Sequence, residues 1–64
     1  MPIIRVEMFQ GRTPDQKRAL VRELTDAFVR VTGASAEAVD VMLVDMDKAD
    51  WGKGGTLYAD KDPH

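Results

Sequence analysis

The 64-residue sequence contains no cysteine. No disulfide can brace it, and no thiolate can attack a substrate or hold a metal. It has one histidine, His64, so a histidine-ligated metal site cannot be built within one chain. No stretch approaches the ~18 apolar residues of a membrane span. The start, Met1-Pro2-Ile3-Ile4-Arg5-Val6-Glu7, lacks the basic end and apolar run of a signal peptide. A soluble, cytoplasmic protein is the expectation. Positive charge is not in excess: 9 Lys and Arg stand against 11 Asp and Glu, for a net charge of -2. A nucleic-acid partner, which needs a basic face, is not expected.

What remains is an ordinary globular composition, 44% apolar and 31% charged, in a length that allows one domain, residues 1–64. A chain this short buries only about 60% of its unfolded surface. Without disulfide or metal, association is the remaining route to stability, and a homo-oligomer is expected.

The pattern reads strand, helix, strand, hairpin, tail. In residues 2–9, Ile4, Val6 and Met8 share one side, and Ile3, Arg5, Glu7 and Phe9 share the other. Thr13-Pro14-Asp15-Gln16 starts a helix over 14–32: Thr13 caps, Pro14 fits the first position, Asp15 suits the dipole and Gln16 completes a capping box. Leu20, Val21, Leu24, Ala27, Phe28 and Val31 recur at helical spacing, while Lys17, Arg18, Arg22, Glu23, Asp26 and Arg30 fall mostly on the solvent side. Gly33 stops the helix. Residues 39–46 form a second strand, and this order favours a βαβ unit with parallel strands. The expected class is α+β: a single βαβ subunit, half of a ferredoxin-like layer, with a short C-terminal hairpin. One helix covers only one face of two strands, so the other face calls for a partner surface. Residues 47–58 hold a glycine-rich turn or hairpin, with Thr56-Leu57-Tyr58 as a short extra strand, and 59–64 read as a mobile tail.

Pro2 follows the initiator methionine. Methionine is normally removed before a small residue, which leaves a secondary amine at a strand end. Proline also simply opens strands. The chemistry the amine permits is specific. In an apolar, cation-lined pocket its protonated form is disfavoured, and the neutral amine can move a proton next to a carbonyl. Retention of Met1 would make the same nitrogen an amide and end that chemistry. Arg12 sits at a strand end beside a helix N-terminus, where anions are favoured, and its planar fork suits a carboxylate. The plain alternative is a solvated loop arginine. Trp51, in a glycine-rich turn, wants burial, either at a site or between subunits.

These residues resemble a known family. Pro2, the apolar strand, Gly11-Arg12-Thr13 and Gln16-Lys17 at the helix start are similar to 4-oxalocrotonate tautomerase (2-hydroxymuconate tautomerase), of the tautomerase superfamily. The Met46 region and Asp50-Trp51-Gly52-Lys53-Gly54-Gly55 match that family's later segment, so that the resemblance covers residues 2 to about 58. It implies an isomerase without cofactor or metal, acting on a small anionic enol or unsaturated 2-oxo acid. It implies that the Pro2 amine is general base and then acid, that Arg12 binds the carboxylate or polarises the carbonyl, and that Trp51 walls the pocket. It also implies two subunits sharing a four-stranded sheet backed by two helices, and three such dimers in a homohexamer.

The sequence departs from the family at two positions. Asp40 stands where the best-known members carry a second arginine. A carboxylate there repels dicarboxylates by about 1–4 kcal/mol at close range. Lys53 replaces an apolar pocket residue and would restore positive charge, as Arg5 would from the first strand. Asp40 also has a plain reading, a salt bridge between subunits. Two alternatives stay open: a hydratase or dehalogenase-like reaction on an unsaturated acid using Pro2 with Asp40, and a non-catalytic subunit of a mixed oligomer. Three further patterns carry little. Asp45, Asp47 and Asp50 miss calcium-loop spacing, Gly52 to Thr56 misses phosphate-loop spacing, and His64 is a lone terminal residue.

Overall fold

Alternating apolar residues become strand β1 (Ile3–Phe9) in the computed structural model, which describes residues 1–61. It pairs in parallel with β2 (Asp40–Met46), in a register running from Ile3 opposite Asp40 to Phe9 opposite Met46. Paired residues of parallel strands share a face. Ile4, Val6, Met8, Val41, Leu43 and Asp45 therefore lie together on one side. Ile3, Arg5, Glu7, Phe9, Asp40, Met42, Val44 and Met46 lie on the other.

The crossover is helix α1 (Pro14–Thr32). The Thr13 hydroxyl accepts from the Gln16 amide at 3.1 Å, and the Gln16 side chain accepts from the Thr13 amide at 2.9 Å. Two donors that a helix start leaves without partners are thus satisfied reciprocally. At the other end Gly33 takes φ 76°, and its N–H donates to the Val29 carbonyl at 2.8 Å. A side chain at that φ would clash with its own backbone, so glycine suits the stop.

Lys17 corrects the expectation that it faces solvent. It is half-buried and ion-paired to Asp45 of β2, which ties the start of α1 to the sheet and marks the Asp45 face as the helix side. Val31 is the second correction. It continues the apolar stripe of α1 yet is 80% exposed. The helix has 19 residues and the strands have 7 each. At ~1.5 and ~3.3 Å per residue these span about 29 and 23 Å, so the last helical turn overhangs the sheet.

A 3-10 turn at Ala36–Ala38 leads into β2, and another at Lys48–Asp50 follows it. Then β3 (Gly52–Lys53) and β4 (Thr56–Leu57) form a small antiparallel hairpin. Gly54 and Gly55 both have positive φ, as a two-residue hairpin turn demands. Where the sequence suggests a third strand residue and a mobile end, Tyr58–Lys61 form a short helix, α2. The Tyr58 N–H donates to the Trp51 carbonyl at 2.8 Å and folds this segment back on the turn. The rest of the expected tail, including His64, lies outside the described residues.

The fold is the expected α+β type, a βαβ unit with a C-terminal hairpin. No described residue is buried in the single chain. The open sheet face leaves Ile3 62% and Met42 45% exposed. The accessible surface is 4855 Å², against roughly 4,100 Å² for a compact monomer of this mass. The radius of gyration is 15.1 Å, against about 11 Å for a compact chain of this length. Among the described residues no helix is long and apolar enough to cross a membrane.

Candidate active site

Parallel pairing brings the starts of β1 and β2 to one end of the sheet. Pro2 sits there, half-buried, and its carbonyl accepts the Asp40 N–H at 2.9 Å. Ahead of it the Met1 side chain is 91% exposed. Asp40 is half-buried too, and among the described residues its carboxylate makes no hydrogen bond or ion pair. Pro2 and Asp40 are 38 positions apart in sequence (40 − 2) and adjacent in space. Arg5 lies one register pair further along Asp40's face, but its guanidinium is 3.4 Å from Glu7.

The opposite end carries the other candidates. Gly11, at φ 124°, turns the chain after β1, and the Gln10 N–H donates to the Met46 carbonyl at 2.9 Å. Arg12 follows in the open, just before the Thr13 cap. The nearest acid in sequence, Asp15, is engaged by Arg18 at 2.8 Å, and among the described residues Arg12 has no ion pair. Trp51 packs on Phe9 with ring centroids 4.5 Å apart, which fixes it at the far end of β1. Lys53 is exposed on β3, and its carbonyl accepts from the Lys61 ammonium at 2.9 Å.

The candidates therefore fall into two groups. Pro2 and Asp40 share one end; Arg12, Trp51 and Lys53 share the other. Seven residues of β1 separate them, about 23 Å at ~3.3 Å per residue. An extended arginine reaches less than half that distance, so Pro2 and Arg12 of one chain cannot touch one small molecule. The described residues of the single chain also enclose no cavity.

Sequence reasoning missed the surroundings of Trp51. Phe9 and Tyr58 lie 5.0 Å apart by ring centroid, with Trp51 against both, so three of the four aromatic residues form one cluster. The Lys48 ammonium lies 5.5 Å from the Phe9 ring and that of Lys61 5.2 Å from the Tyr58 ring. Cations over ring faces are mutually favourable. The signal available in the sequence was the scarcity of aromatics together with their placement at strand and turn ends. Two of the three acids that miss calcium-loop spacing are engaged elsewhere. Asp45 holds Lys17, and the Asp47 carboxylate caps a turn by accepting the Ala49 N–H at 2.9 Å. Among the described residues no cluster of three potential metal ligands exists.

Comparison with known proteins covers nearly the whole chain. The sequence model of a family described as "Tautomerase enzyme" matches residues 2–61. A protein of Streptococcus pneumoniae named "Probable tautomerase" is 44% identical over 57 residues, spanning 89% of this chain and 95% of that protein. A crystal structure described as a 4-oxalocrotonate tautomerase homologue superposes with a TM-score of 0.87 at 39% identity, over 97% of this chain and 98% of the other. A heterohexamer 4-oxalocrotonate tautomerase from Chloroflexus aurantiacus superposes with a TM-score of 0.82 at 27% identity, over 92% and 95%.

Proposed function

The chain belongs to the tautomerase family, and from that premise we propose that it interconverts keto and enol forms of a small enol or unsaturated 2-oxo acid, with Pro2 as general base and acid. Removal of exposed Met1 frees the Pro2 nitrogen as a secondary amine at the start of β1. The neutral amine takes the enol O–H proton. The oxygen's electron pair forms the carbonyl, the carbon–carbon π pair shifts onto carbon, and the ammonium returns the proton there. Arg12 binds the carboxylate through its paired N–H donors, and Trp51 shapes the pocket and excludes water.

The observation that carries this reading is the position of Pro2. It is half-buried at a strand end, directly after the exposed Met1, in a chain matched to the family from residue 2. The 23 Å separation of the two groups adds an assembly requirement. A site using both Pro2 and Arg12 takes them from different chains. We propose a homo-oligomer, a hexamer of three dimers, in which two subunits share a four-stranded sheet and cover the open face. The expected location is the cytoplasm. Asp40 disfavours a second carboxylate near the amine, so a monoanion such as phenylenolpyruvate is preferred over 2-hydroxymuconate, with Lys53 as the cation that moderates this preference.

The test is ketonisation of phenylenolpyruvate followed by ultraviolet absorbance, together with intact mass. The mass should lack Met1, and Pro2→Ala should lower kcat/KM by about 100- to 10,000-fold, the usual worth of a positioned acid–base, with the oligomer intact. Retained Met1 in an active sample, or unchanged turnover in Pro2→Ala, would reject the mechanism. Asp40, beside Pro2 and without a hydrogen-bond or ion-pair partner among the described residues, also favours a second reading: addition of water across an unsaturated acid, with the carboxylate activating the water. A hydrated product that disappears in Asp40→Asn would select it.

A further inference from the structure

Resting on the reading of Trp51 as a wall of the site, we propose that Tyr58 is a positioning residue. Its ring, together with that of Phe9, holds the Trp51 indole in place, so that helix α2 rather than the glycine-rich turn fixes the pocket wall. The local sequence leaves few alternatives. Trp51 is followed by Gly52, Lys53, Gly54 and Gly55, and every residue from Gly52 to Leu57 is exposed. Glycine offers no side chain to pack against, and Gly54 and Gly55 are spent on the positive φ of the turn. Holding a large side chain in one orientation costs entropy. With so little beside it in sequence, the indole needs rings from elsewhere to offset that cost.

Two segments supply those rings. Phe9 ends β1 and stands 4.5 Å from the indole by ring centroid, tilted by 54°. Tyr58 opens α2 and stands 6.2 Å from the indole at 89°, and 5.0 Å from Phe9 at 68°. Tilted and edge-to-face arrangements at such separations are the favourable ones for aromatic pairs. Tyr58 is tied to the same residue through the backbone, its N–H donating to the Trp51 carbonyl at 2.8 Å. The far end of α2 is tied down as well. The Lys61 ammonium donates to the Lys53 carbonyl at 2.9 Å and lies 5.2 Å from the Tyr58 ring. Among the described residues the Tyr58 hydroxyl makes no hydrogen bond, so the ring carries the contact. All of these contacts lie within one chain, and each copy in an assembly carries its own.

Trp51 is the only tryptophan of the sequence, so its fluorescence reports this one wall. The experiment measures its anisotropy decay, its quenching by phenylpyruvate, and kcat and KM for phenylenolpyruvate, in the wild-type oligomer, Tyr58→Ala and Tyr58→Phe. Phenylpyruvate should quench the wild type. Tyr58→Ala should free the indole's motion and raise KM by about 2- to 12-fold, the worth of one aromatic pair. Its kcat should stay within about twofold, because the wall binds substrate and transition state alike. Tyr58→Phe should match the wild type in all three. If Tyr58→Ala does not assemble, Tyr58→Leu, which keeps apolar bulk without a ring, decides in its place. Indole motion and KM that both stay at wild-type values without the ring overturn the inference and leave the reading of the site standing. A change in only one of the two, or a Tyr58→Phe as impaired as the variant without a ring, overturns it as well. An active wild type whose Trp51 phenylpyruvate does not quench removes Trp51 from the site, and overturns that part of the reading together with the inference.

Discussion

Pro2 and Arg12 lie at opposite ends of β1 in one chain, and this makes subunit complementation a quantitative test. On the proposed mechanism Pro2→Ala removes the amine that moves the proton, for a loss of about 100- to 10,000-fold. On the same proposal Arg12→Ala removes a charge-assisted, two-pronged contact to the substrate carboxylate, worth about 1.5–3 kcal/mol or roughly 10- to 150-fold in kcat/KM. Each variant alone should be nearly inactive. Denatured together in equal amounts and refolded, they should regain activity, because β1 spans about 23 Å and a site that uses both residues must take its proline and its arginine from different chains. In a random assembly, half the prolines and half the arginines are intact. Both are intact in roughly one site in four, so the mixture should reach about a quarter of wild-type kcat/KM. The assay is phenylenolpyruvate ketonisation against equal total chain, with each variant refolded alone as reference. A mixture no more active than the mean of its parents would refute the two-chain site.

Two further outcomes follow from the packing. Lys17→Met should destabilise the protein by about 1–3 kcal/mol in urea unfolding, between exposed and buried ion-pair values, because it strands a carboxylate whose Oδ1 is buried without a hydrogen bond. Adding Asp45→Leu should recover most of that loss, and a double variant no better than the single would show that the pair is not coupled. Met42→Lys places a charge on the open sheet face where Met42 is 45% exposed, which should cost about 2 kcal/mol or more per copy once covered. Sedimentation should show smaller species than wild type, and an unchanged assembly would mean that this face meets solvent rather than a subunit.

Periodicity and caps made the secondary structure legible because they are local. Thr13, Pro14, Gln16 and Gly33 act through neighbours three or four positions away, so their roles can be read from the string of residues. The α+β class followed from the same local signals. Lys17 and Val31 read wrongly for a different reason. Their environment is set by the lengths of helix and sheet and by a partner, Asp45, that is 28 positions away. The aromatic cluster was illegible because Phe9 and Trp51 meet only when the chain returns after β2.

The order of the elements, the helix boundaries and the membership of the chain in its family were written in residue types and spacings. Those depend on side-chain chemistry and backbone preference over short separations. Which candidate stands beside which was settled by tertiary packing. Parallel register carries Asp40 across the whole crossover to the carbonyl of Pro2. Arg12, only ten positions from Pro2 (12 − 2), ends a strand length away because an extended backbone advances steadily and does not turn back. Nearness along the chain and nearness in space are thus reversed for these three residues, and a tautomerase site that uses them all must be completed by another copy of the chain.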